Sequence, residues 1–376
     1  MNILFVLTRY PGIGGIERVT QTITESLIQR GFSLDVLSFF QASRMNLHNV
    51  RLYKMPEEKY DSPFNKAYLE KILKEGKYDV LIFQDSYAPT ERCVIGAAKL
   101  CQVPVITFEH NTPLFVENKR KLEKWCKPMG LARRLLHPWL MHRERKRKRY
   151  LLENSFRYVV LSDAFINDFC DVIGIDEVDH RLRVVHNPAI PCDFPSMDNK
   201  ENVILCVAQL NSVKRVDLML KAWKHICYNL PDWCFWIVGD GEERSKLEKI
   251  VKAMDLQRVS FFGFQKPAPY YEKAKIFWMT SKYEGWGITL VEAMQRGCIP
   301  VAMNTYSSLK DIVDDGVNGI ICNEDLQSLC DATLLLANDD ELYQKLVINA
   351  REKTRIWDIN NVMQEWSSLL NELAVK

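Results

Sequence analysis

Short apolar segments alternate with amphipathic helical segments along nearly the whole chain, and this alternation constrains the fold more than any other feature. It is typical of parallel β-sheets with helices on both faces. The first strand is predicted at residues 3–7, the first helix at 17–29 and the next strand at 34–39. Further strands are predicted at residues 80–83, 103–108, 158–161 and 183–185. Together these elements predict an α/β domain with a doubly wound parallel sheet.

The alternation stops at residues 186–202, where three prolines interrupt a stretch with little periodicity. It then resumes, and the second set of strands is predicted at residues 203–207, 235–238, 259–262, 276–279, 299–302 and 319–322. A chain of 376 residues is longer than one ordinary core supports. We therefore expect two Rossmann-like domains, 1–190 and 191–356, and a terminal segment, 357–376, that contains a helix.

The composition argues against several classes of protein. An apolar share of 47% and a charged share of 26% are those of a globular protein, and a net charge of +2 gives no overall field that would attract nucleic acid or a membrane. The 11 cysteines form no C-x-x-C motif, so we expect a reducing compartment and no zinc site. No basic leader precedes the first strand, and no segment has the about 20 apolar residues that span a bilayer, so a cytoplasmic location is expected.

Residues 281–303 combine a glycine-containing loop with the start of a helix. Gly285 and Gly287 flank Trp286 in this loop, and glycine lets a backbone approach a ligand closely. The first N–H groups of a helix have no partners within it, and the helix dipole is positive at that end. Here these groups belong to Ile288, Thr289 and Leu290. The segment therefore predicts an anion site suited to a phosphate.

Two glutamates lie on either side of this helix start, Glu284 in the loop and Glu292 one turn into the helix. Glu292 has mostly apolar neighbours, so its carboxylate needs a partner. In one interpretation it pairs with Arg296, four residues further on, and Glu284 is an ordinary loop acid. In the other, both glutamates contact one ligand. The E-x7-E spacing, with EGWG at its start and EAM at its end, resembles the signature of glycosyltransferase family 4.

This resemblance implies the GT-B fold, in which two Rossmann-like doubly wound domains face each other across a cleft. The first domain would bind the acceptor and the second the nucleotide sugar, and the terminal helix in 357–376 would pack back on the first domain. The resemblance also implies that Glu284 lies by the donor sugar, that the loop and helix start hold the diphosphate, and that Glu292 accepts hydrogen bonds from the ribose. The implied reaction is transfer of a hexosyl unit, with retention of configuration, from a UDP-sugar to a hydroxyl of a glycan or lipid-linked oligosaccharide in surface polysaccharide synthesis.

Two features of the first domain are candidates for the same site. Gly14 and Gly15 lie in the turn after the first strand, where they either serve only the turn geometry or let a substrate approach the first helix. Glu17 occupies the position where a dinucleotide fingerprint has its third glycine, which disfavours a dehydrogenase. His110 follows the predicted strand 103–108 and is either structural or part of the site. The resemblance implies a glycine turn that faces the cleft and a histidine by the donor sugar.

Further candidates lie in the second domain. The family usually has G-R-L followed by K-G after the first strand, and here Lys214 matches the lysine, whereas Gln209 replaces the arginine. Arg215 follows Lys214, and both are alternatively the start of an exposed helix. Gly239 and Phe264 resemble turns that in the family lie near the nucleotide. The chain contains no D-x-D motif, so we expect no metal and no cofactor.

Residues 119–149 are rich in lysine and arginine and contain interspersed apolar side chains. The apolar residues are Trp125, Leu131, Leu135, Leu136, Trp139, Leu140 and Met141. An interfacial amphipathic helix on an anionic membrane and a solvated helical face are both compatible with this pattern. Nucleic-acid binding is disfavoured, since no stacking aromatics accompany residues 145–149. The resemblance favours peripheral docking to the inner face of the cell membrane and a polyprenyl-linked acceptor.

Two alternative functions remain open. A nucleotide-sugar epimerase can have the same fold, although it would need further acid and base groups near the sugar. A non-catalytic membrane or glycan adaptor is the second alternative, suggested by Gln209 and the basic residues 119–149.

Overall fold

A computed structural model describes residues 1–12, 14–41, 50–85, 89–122, 135–190, 192, 194 and 196–374. The chain forms two compact units. Met1–Pro188 and Ile359–Lys376 make up the first, and Ala189–Asp358 makes up the second. The sequence placed the boundary after residue 190.

The first unit is built on a parallel sheet of seven strands. In chain order they are β1 (Asn2–Arg9), β2 (Ser33–Phe40), β3 (Leu52–Lys54), β4 (Val80–Asp85), β5 (Val105–Glu109), β6 (Arg157–Val160) and β7 (Leu182–Val184). Their spatial order is β3-β2-β1-β4-β5-β6-β7. The β1 side chains from Ile3 to Val6 are completely buried, since a central strand is covered on both faces, and this explains its continuous apolar run.

Six helices accompany this sheet in the described part of the chain before Pro188. They are α1 (Gly15–Gln29), α2 (Pro63–Gly76), α3 (Glu91–Leu100), α4 (Phe115–Leu122), α5 (His137–Asn154) and α6 (Ala164–Ile173). The edge strand β3 was not predicted, because its three residues are too few and too exposed to show a pattern. The strand predicted to begin at residue 103 begins at Val105.

The second unit contains a parallel sheet of six strands. They are β8 (Glu201–Val207), β9 (Cys234–Val238), β10 (Val259–Gly263), β11 (Ala274–Met279), β12 (Ile299–Met303) and β13 (Ile320–Cys322). Their spatial order is β10-β9-β8-β11-β12-β13, so the direction of strand addition reverses between β8 and β11. The helices are α7 (Val216–Ile226), α8 (Arg244–Ala253), α9 (Ala268–Lys273), α10 (Ile288–Gln295), α11 (Leu309–Ile312), α12 (Leu326–Asn338) and α13 (Asp340–Thr354).

The C-terminal helix, α14 (Ile359–Asn371), belongs to the first unit although it follows the second in sequence. Trp366 is completely buried and stacks on Phe108, with 4.6 Å between the ring centroids. Glu365 accepts a 2.8 Å hydrogen bond from the His186 backbone N–H, and Glu372 pairs with Arg183 at 3.0 Å. An aromatic contact and two contacts of glutamate side chains thus attach this C-terminal segment to the rest of the first unit.

Within the basic stretch 119–149, residues 123–134, with Trp125 and Leu131, lie outside the described residues. The described remainder lies at the end of α4 and in and just before α5. In α5, Arg145 donates to the Val172 carbonyl at 3.0 Å and Arg149 to the Ile173 carbonyl at 2.8 Å. Both arginines therefore cap the C-terminal end of α6, which is an electrostatically favourable position for a cation. No described helix has the length and hydropathy needed to cross a bilayer.

Candidate active site

The loops after β8 and β11 lie side by side, because these strands are neighbours at the point where the strand order reverses. In open α/β sheets ligands bind beyond the carboxyl ends of the strands at such a point. The Lys282 N–H donates to the Val213 carbonyl at 2.9 Å, and the Thr280 hydroxyl donates to the Lys214 carbonyl at 2.9 Å. The two loops are therefore fixed to each other.

Lys214 and Glu284, both predicted for the site, form an ion pair between these loops. The distance from Lys214 Nζ to Glu284 Oε1 is 2.6 Å. The two side chains are only 22% and 13% exposed, and this burial strengthens their attraction relative to a surface pair. The structure thus holds one cation and one anion together at the ends of β8 and β11.

The other two polar residues predicted for the first of these loops have different environments. Gln209 is exposed just beyond the end of β8. Arg215 has a positive φ of 55° immediately before α7. Its guanidinium donates to the exposed carboxylate of Glu324 at 2.6 Å. Arg215 and Lys214 therefore bind different carboxylates.

Helix α10 begins directly after Gly287, whose φ of 90° lies in the left-handed region that favours glycine. Glycine has no side chain with which to cap the helix. The Leu290 N–H donates to the Gly287 carbonyl at 2.9 Å, so the prediction that this N–H is free for a ligand is wrong. The N–H groups of Ile288 and Thr289 lie at the positive end of the helix dipole.

Glu292 is 3% exposed on α10. Its Oε2 accepts a 3.2 Å hydrogen bond from the Tyr271 hydroxyl, which contributes to the polar contact that a buried carboxylate requires. Arg296 donates to the backbone carbonyl of Glu292 at 3.3 Å, and its Nε lies 3.7 Å from the Glu272 carboxylate. The hydrogen bond from Tyr271 thus holds the buried Glu292 side chain in place on α10.

The loop before α10 is held by packing. Trp286 is buried, and its ring meets Trp357 edge to face, with 5.3 Å between centroids. Gly285 precedes it and is partly buried. The tryptophan thus anchors the loop that contains Glu284 and Gly287.

Gly239 and Phe264 lie at the ends of β9 and β10. Gly239 has a φ of 135°, and an added β-carbon there would overlap the carbonyl oxygen of Ala208. The loop after β8 packs so closely against Gly239 that no larger residue fits there, whether or not a ligand binds. Phe264 is 66% exposed, directly after Gly263.

In the first unit, Gly14 and Gly15 are exposed at the start of α1. An added β-carbon at Gly14 would overlap the carboxylate of Glu17, whereas one at Gly15 would meet nothing within 4 Å. The absence of a side chain at Gly14 thus leaves space for the Glu17 carboxylate. Beside the turn lies a cavity of about 210 Å³, lined by Leu7, Thr8, Arg9, Ile16 and Glu17.

His110 is buried just beyond the end of β5, in the first unit. Its Nε2 hydrogen-bonds to the Gln84 side chain of the neighbouring strand β4. The preceding residue, Glu109, pairs with Lys148 of α5 and accepts a 2.9 Å hydrogen bond from the Tyr158 hydroxyl. The backbone on which His110 lies is therefore held by a buried polar network.

Two family models match most of the chain. The model for Glycosyltransferase Family 4 matches residues 13–190, and the model for glycosyl transferases group 1 matches residues 194–353. The chain belongs to glycosyltransferase family 4. The predicted family is thereby confirmed, and the protein is a glycosyltransferase.

Relatives of this glycosyltransferase include full-length matches. A Campylobacter jejuni α-1,4-N-acetyl-D-galactosaminyltransferase named for an undecaprenyl-diphosphate-linked substrate is 26% identical over 99% of both chains. The Staphylococcus aureus poly(ribitol-phosphate) α-N-acetylglucosaminyltransferase is 26% identical over 60% of this chain and 47% of its own length. The crystal structure of Anabaena HepE in complex with UDP and glucose superposes with a TM-score of 0.77 at 17% identity, covering 99% of this chain and 100% of HepE. The GT-B fold is confirmed.

Sequence reasoning about this glycosyltransferase missed the polar network behind His110. Glu109 lies in a run of apolar residues on β5, and a buried carboxylate needs a partner, so the glutamate itself was the available signal. Its partner, Lys148, is completely buried and lies 3.5 Å from Glu144 as well. The sequence does not distinguish Lys148 from the cations around it, because its neighbours are also basic.

Among the described residues of this glycosyltransferase, no group of three or more His, Cys, Asp or Glu side chains is placed to hold a metal ion. The Lys214 ammonium, paired with Glu284, and the start of α10 are the positively charged features described above for the loops after β8 and β11.

Proposed function

We propose that this glycosyltransferase transfers a hexosyl unit from a UDP-sugar to a hydroxyl of a lipid-linked glycan in surface polysaccharide synthesis, with retention and without a metal. The observation that carries the proposal is the Lys214–Glu284 pair at the point of strand reversal in the second sheet, on the loop that leads into α10. A diphosphate leaving group needs positive charge, and a sugar needs hydrogen-bond acceptors. Lys214 and Glu284 supply one of each.

The roles follow from these positions. Lys214 and the Ile288 and Thr289 N–H groups stabilise the diphosphate as negative charge develops on it, in place of a metal ion. Glu284 accepts hydrogen bonds from the donor sugar. Glu292, whose other contacts hold it rigidly, accepts hydrogen bonds from the ribose.

Other predicted residues have smaller parts in the proposal. The backbone near Gly239 and Phe264 meets the nucleotide base, and Gln209 and Arg215 flank the phosphates. For the first unit the proposal rests on family resemblance. There His110 orients the donor sugar, and the turn at Gly14 and Gly15 admits the acceptor.

The base and the acceptor class are inferred from relatives. HepE was crystallised with UDP and glucose, and the Campylobacter jejuni relative is named for an undecaprenyl-diphosphate-linked glycan. Membrane attachment of this chain is proposed through the first turns of α5 and the two residues before it. Leu135 and Leu136, which precede the helix, and Trp139 within it are exposed, and Arg143 lies over the Trp139 ring at 4.7 Å. Exposed apolar and cationic groups on one short stretch suit an anionic bilayer surface.

A thermal-shift panel of UDP-, GDP- and ADP-sugars, followed by an assay for nucleoside diphosphate release, tests the proposal. We expect stabilisation by UDP-sugars and UDP release that depends on an added polyprenyl-diphosphate glycan. Formation of an epimer without acceptor would support an epimerase, and binding without any turnover would support an adaptor. If no nucleotide sugar stabilised the protein, the proposal would be wrong.

Retention and metal independence are tested separately. Nuclear magnetic resonance of the product should show the same anomeric configuration as in the donor. Treatment with EDTA should leave the rate of UDP release unchanged, whereas a loss that Mg²⁺ or Mn²⁺ restores would contradict the metal-free mechanism.

A further inference from the structure

The loop after β12 lies against the loop that contains Glu284. Strands β11 and β12 are parallel neighbours, so their carboxyl ends meet at the same edge of the sheet. The Thr305 hydroxyl hydrogen-bonds to the Ser281 carbonyl and thereby ties the two loops together. The next residue, Tyr306, is therefore held beside the start of α10.

The hydroxyl group of Tyr306 is buried and makes no hydrogen bond to the described residues. The residue is 7% exposed, and its hydroxyl has no hydrogen-bond partner among the residues that the structure describes. Burying a hydroxyl without a partner costs free energy, and most buried polar groups are paired. A protein tolerates such a cost most readily where a ligand supplies the partner.

The hydroxyl is directed at the helix start. It lies 3.6 Å from the point where a β-carbon on Gly287 would stand, and Gly287 immediately precedes α10. The group is therefore next to the uncapped N–H groups of Ile288 and Thr289.

The charge state of the phenol suits this position. Burial, together with the negative charge of Glu284, raises the pKa of Tyr306 well above its usual range. The phenol therefore keeps its proton at all physiological pH values and can donate a hydrogen bond. Glu284 accepts a 2.6 Å hydrogen bond from Lys214, and its negative charge lies close enough to the phenol to disfavour the phenolate.

We propose that the Tyr306 hydroxyl binds the donor, by donating a hydrogen bond to an oxygen of the second phosphate of the nucleoside diphosphate at the start of α10. The proposal rests on the proposed function, because it requires that a nucleoside diphosphate binds there. It adds a contact outside the E-x7-E segment, from a strand end that the sequence pattern does not mark.

The Tyr306→Phe variant tests this contact, because it keeps the ring and removes only the oxygen. Calorimetric titration with UDP and with UMP separates a contact to the second phosphate from a general loss of the site. We expect about tenfold or greater weakening of UDP binding, as for a hydrogen bond to a charged group, and little change for UMP. The free variant should unfold at the same temperature as the wild type or higher, since an unpartnered buried hydroxyl has been removed.

Tyr343→Phe is the matched control. Tyr343 is also buried, and its hydroxyl donates to the Gly297 carbonyl at 2.9 Å, beyond the far end of α10. This control should lower the unfolding temperature and leave UDP affinity unchanged, which is the opposite of the pattern expected for Tyr306→Phe.

The outcomes separate the two proposals. If the wild type binds no UDP, the proposed function is wrong. If the wild type binds UDP and Tyr306→Phe binds it equally well, only the inference about Tyr306 is wrong. Equal weakening of UDP and UMP binding would also overturn it, because the second phosphate would then not be the partner.

Discussion

Lys214 and Glu284, 70 residues apart in the chain, form a 2.6 Å ion pair between neighbouring loops of the second sheet. Each side chain orients the other in the free protein. Such preorganisation favours catalysis, because groups that stabilise developing charge then need not move during the reaction. The pair therefore links the packing of β8 against β11 to the proposed chemistry.

The first prediction concerns Lys214→Gln. We expect kcat for acceptor-dependent UDP release to fall about 100-fold, as when one preorganised donor to a developing negative charge is removed. Lys221→Gln is the control, because Lys221 is an exposed lysine of α7 in the same unit and has no proposed role in the site. Steady-state kinetics of both variants provide the measurement, and an equal loss in the two would contradict a special role of Lys214.

The second prediction concerns Glu292→Gln. Glutamine can still accept a hydrogen bond from Tyr271, so the fold should be preserved, as judged by circular dichroism. A neutral amide accepts hydrogen bonds more weakly than a carboxylate, so we expect UDP to bind about tenfold less tightly. Isothermal titration calorimetry measures this, and unchanged affinity would remove Glu292 from the nucleotide site.

The sequence predicts those strands and helices whose formation is determined by residues that are neighbours in the chain. Residues Ile3–Val6 of β1 are apolar on both faces because the strand is central, so the run itself reveals the strand. The short edge strand β3 has no such pattern. The start of α10 was predicted from its loop, but the use of the Leu290 N–H within the turn depends on the φ of Gly287, which the sequence does not give.

Long-range partners are the part that sequence patterns do not reveal. Glu109 and Lys148 are 39 residues apart, and only the packing of α5 on the sheet brings them together. Gly239 resembled a ligand-binding glycine, yet the carbonyl of Ala208 alone is sufficient to require it. Tyr306 has no motif of its own, and its unpartnered hydroxyl is visible only in three dimensions.

The third prediction concerns the ion pair of Lys148 and Glu109. Lys148→Met should lower the free energy of unfolding by about 3–5 kcal/mol, because the buried Glu109 carboxylate loses its cation. Urea denaturation followed by fluorescence measures the change. The double variant Lys148→Met with Glu109→Gln should recover part of the loss, and Lys146→Met, at an exposed position of the same helix, should change stability by less than about 0.5 kcal/mol. A small effect of Lys148→Met would mean that the pair is not buried in solution.

The fourth prediction concerns membrane docking through α5. Arg145 and Arg149 cap α6, so substituting them would confuse membrane binding with stability. Arg143 and Lys146 are exposed, and the double variant Arg143→Glu with Lys146→Glu should sharply reduce sedimentation with vesicles that contain anionic lipid. UDP release with a water-soluble acceptor should be unaffected.

The matched control for docking reverses two exposed lysines of α8, Lys249→Glu with Lys252→Glu, and so makes the same change in net charge on the other unit. We expect this control to bind anionic vesicles like the wild type. Attraction to a charged surface decays within about 10 Å at ordinary salt, so only charges on the face of the protein that touches the membrane contribute. Adding Trp139→Ala to the α5 variant should remove the remaining binding, since the exposed indole would insert at the interface. Equal losses in the α5 and α8 variants would show that net charge, and not this helix, determines the association.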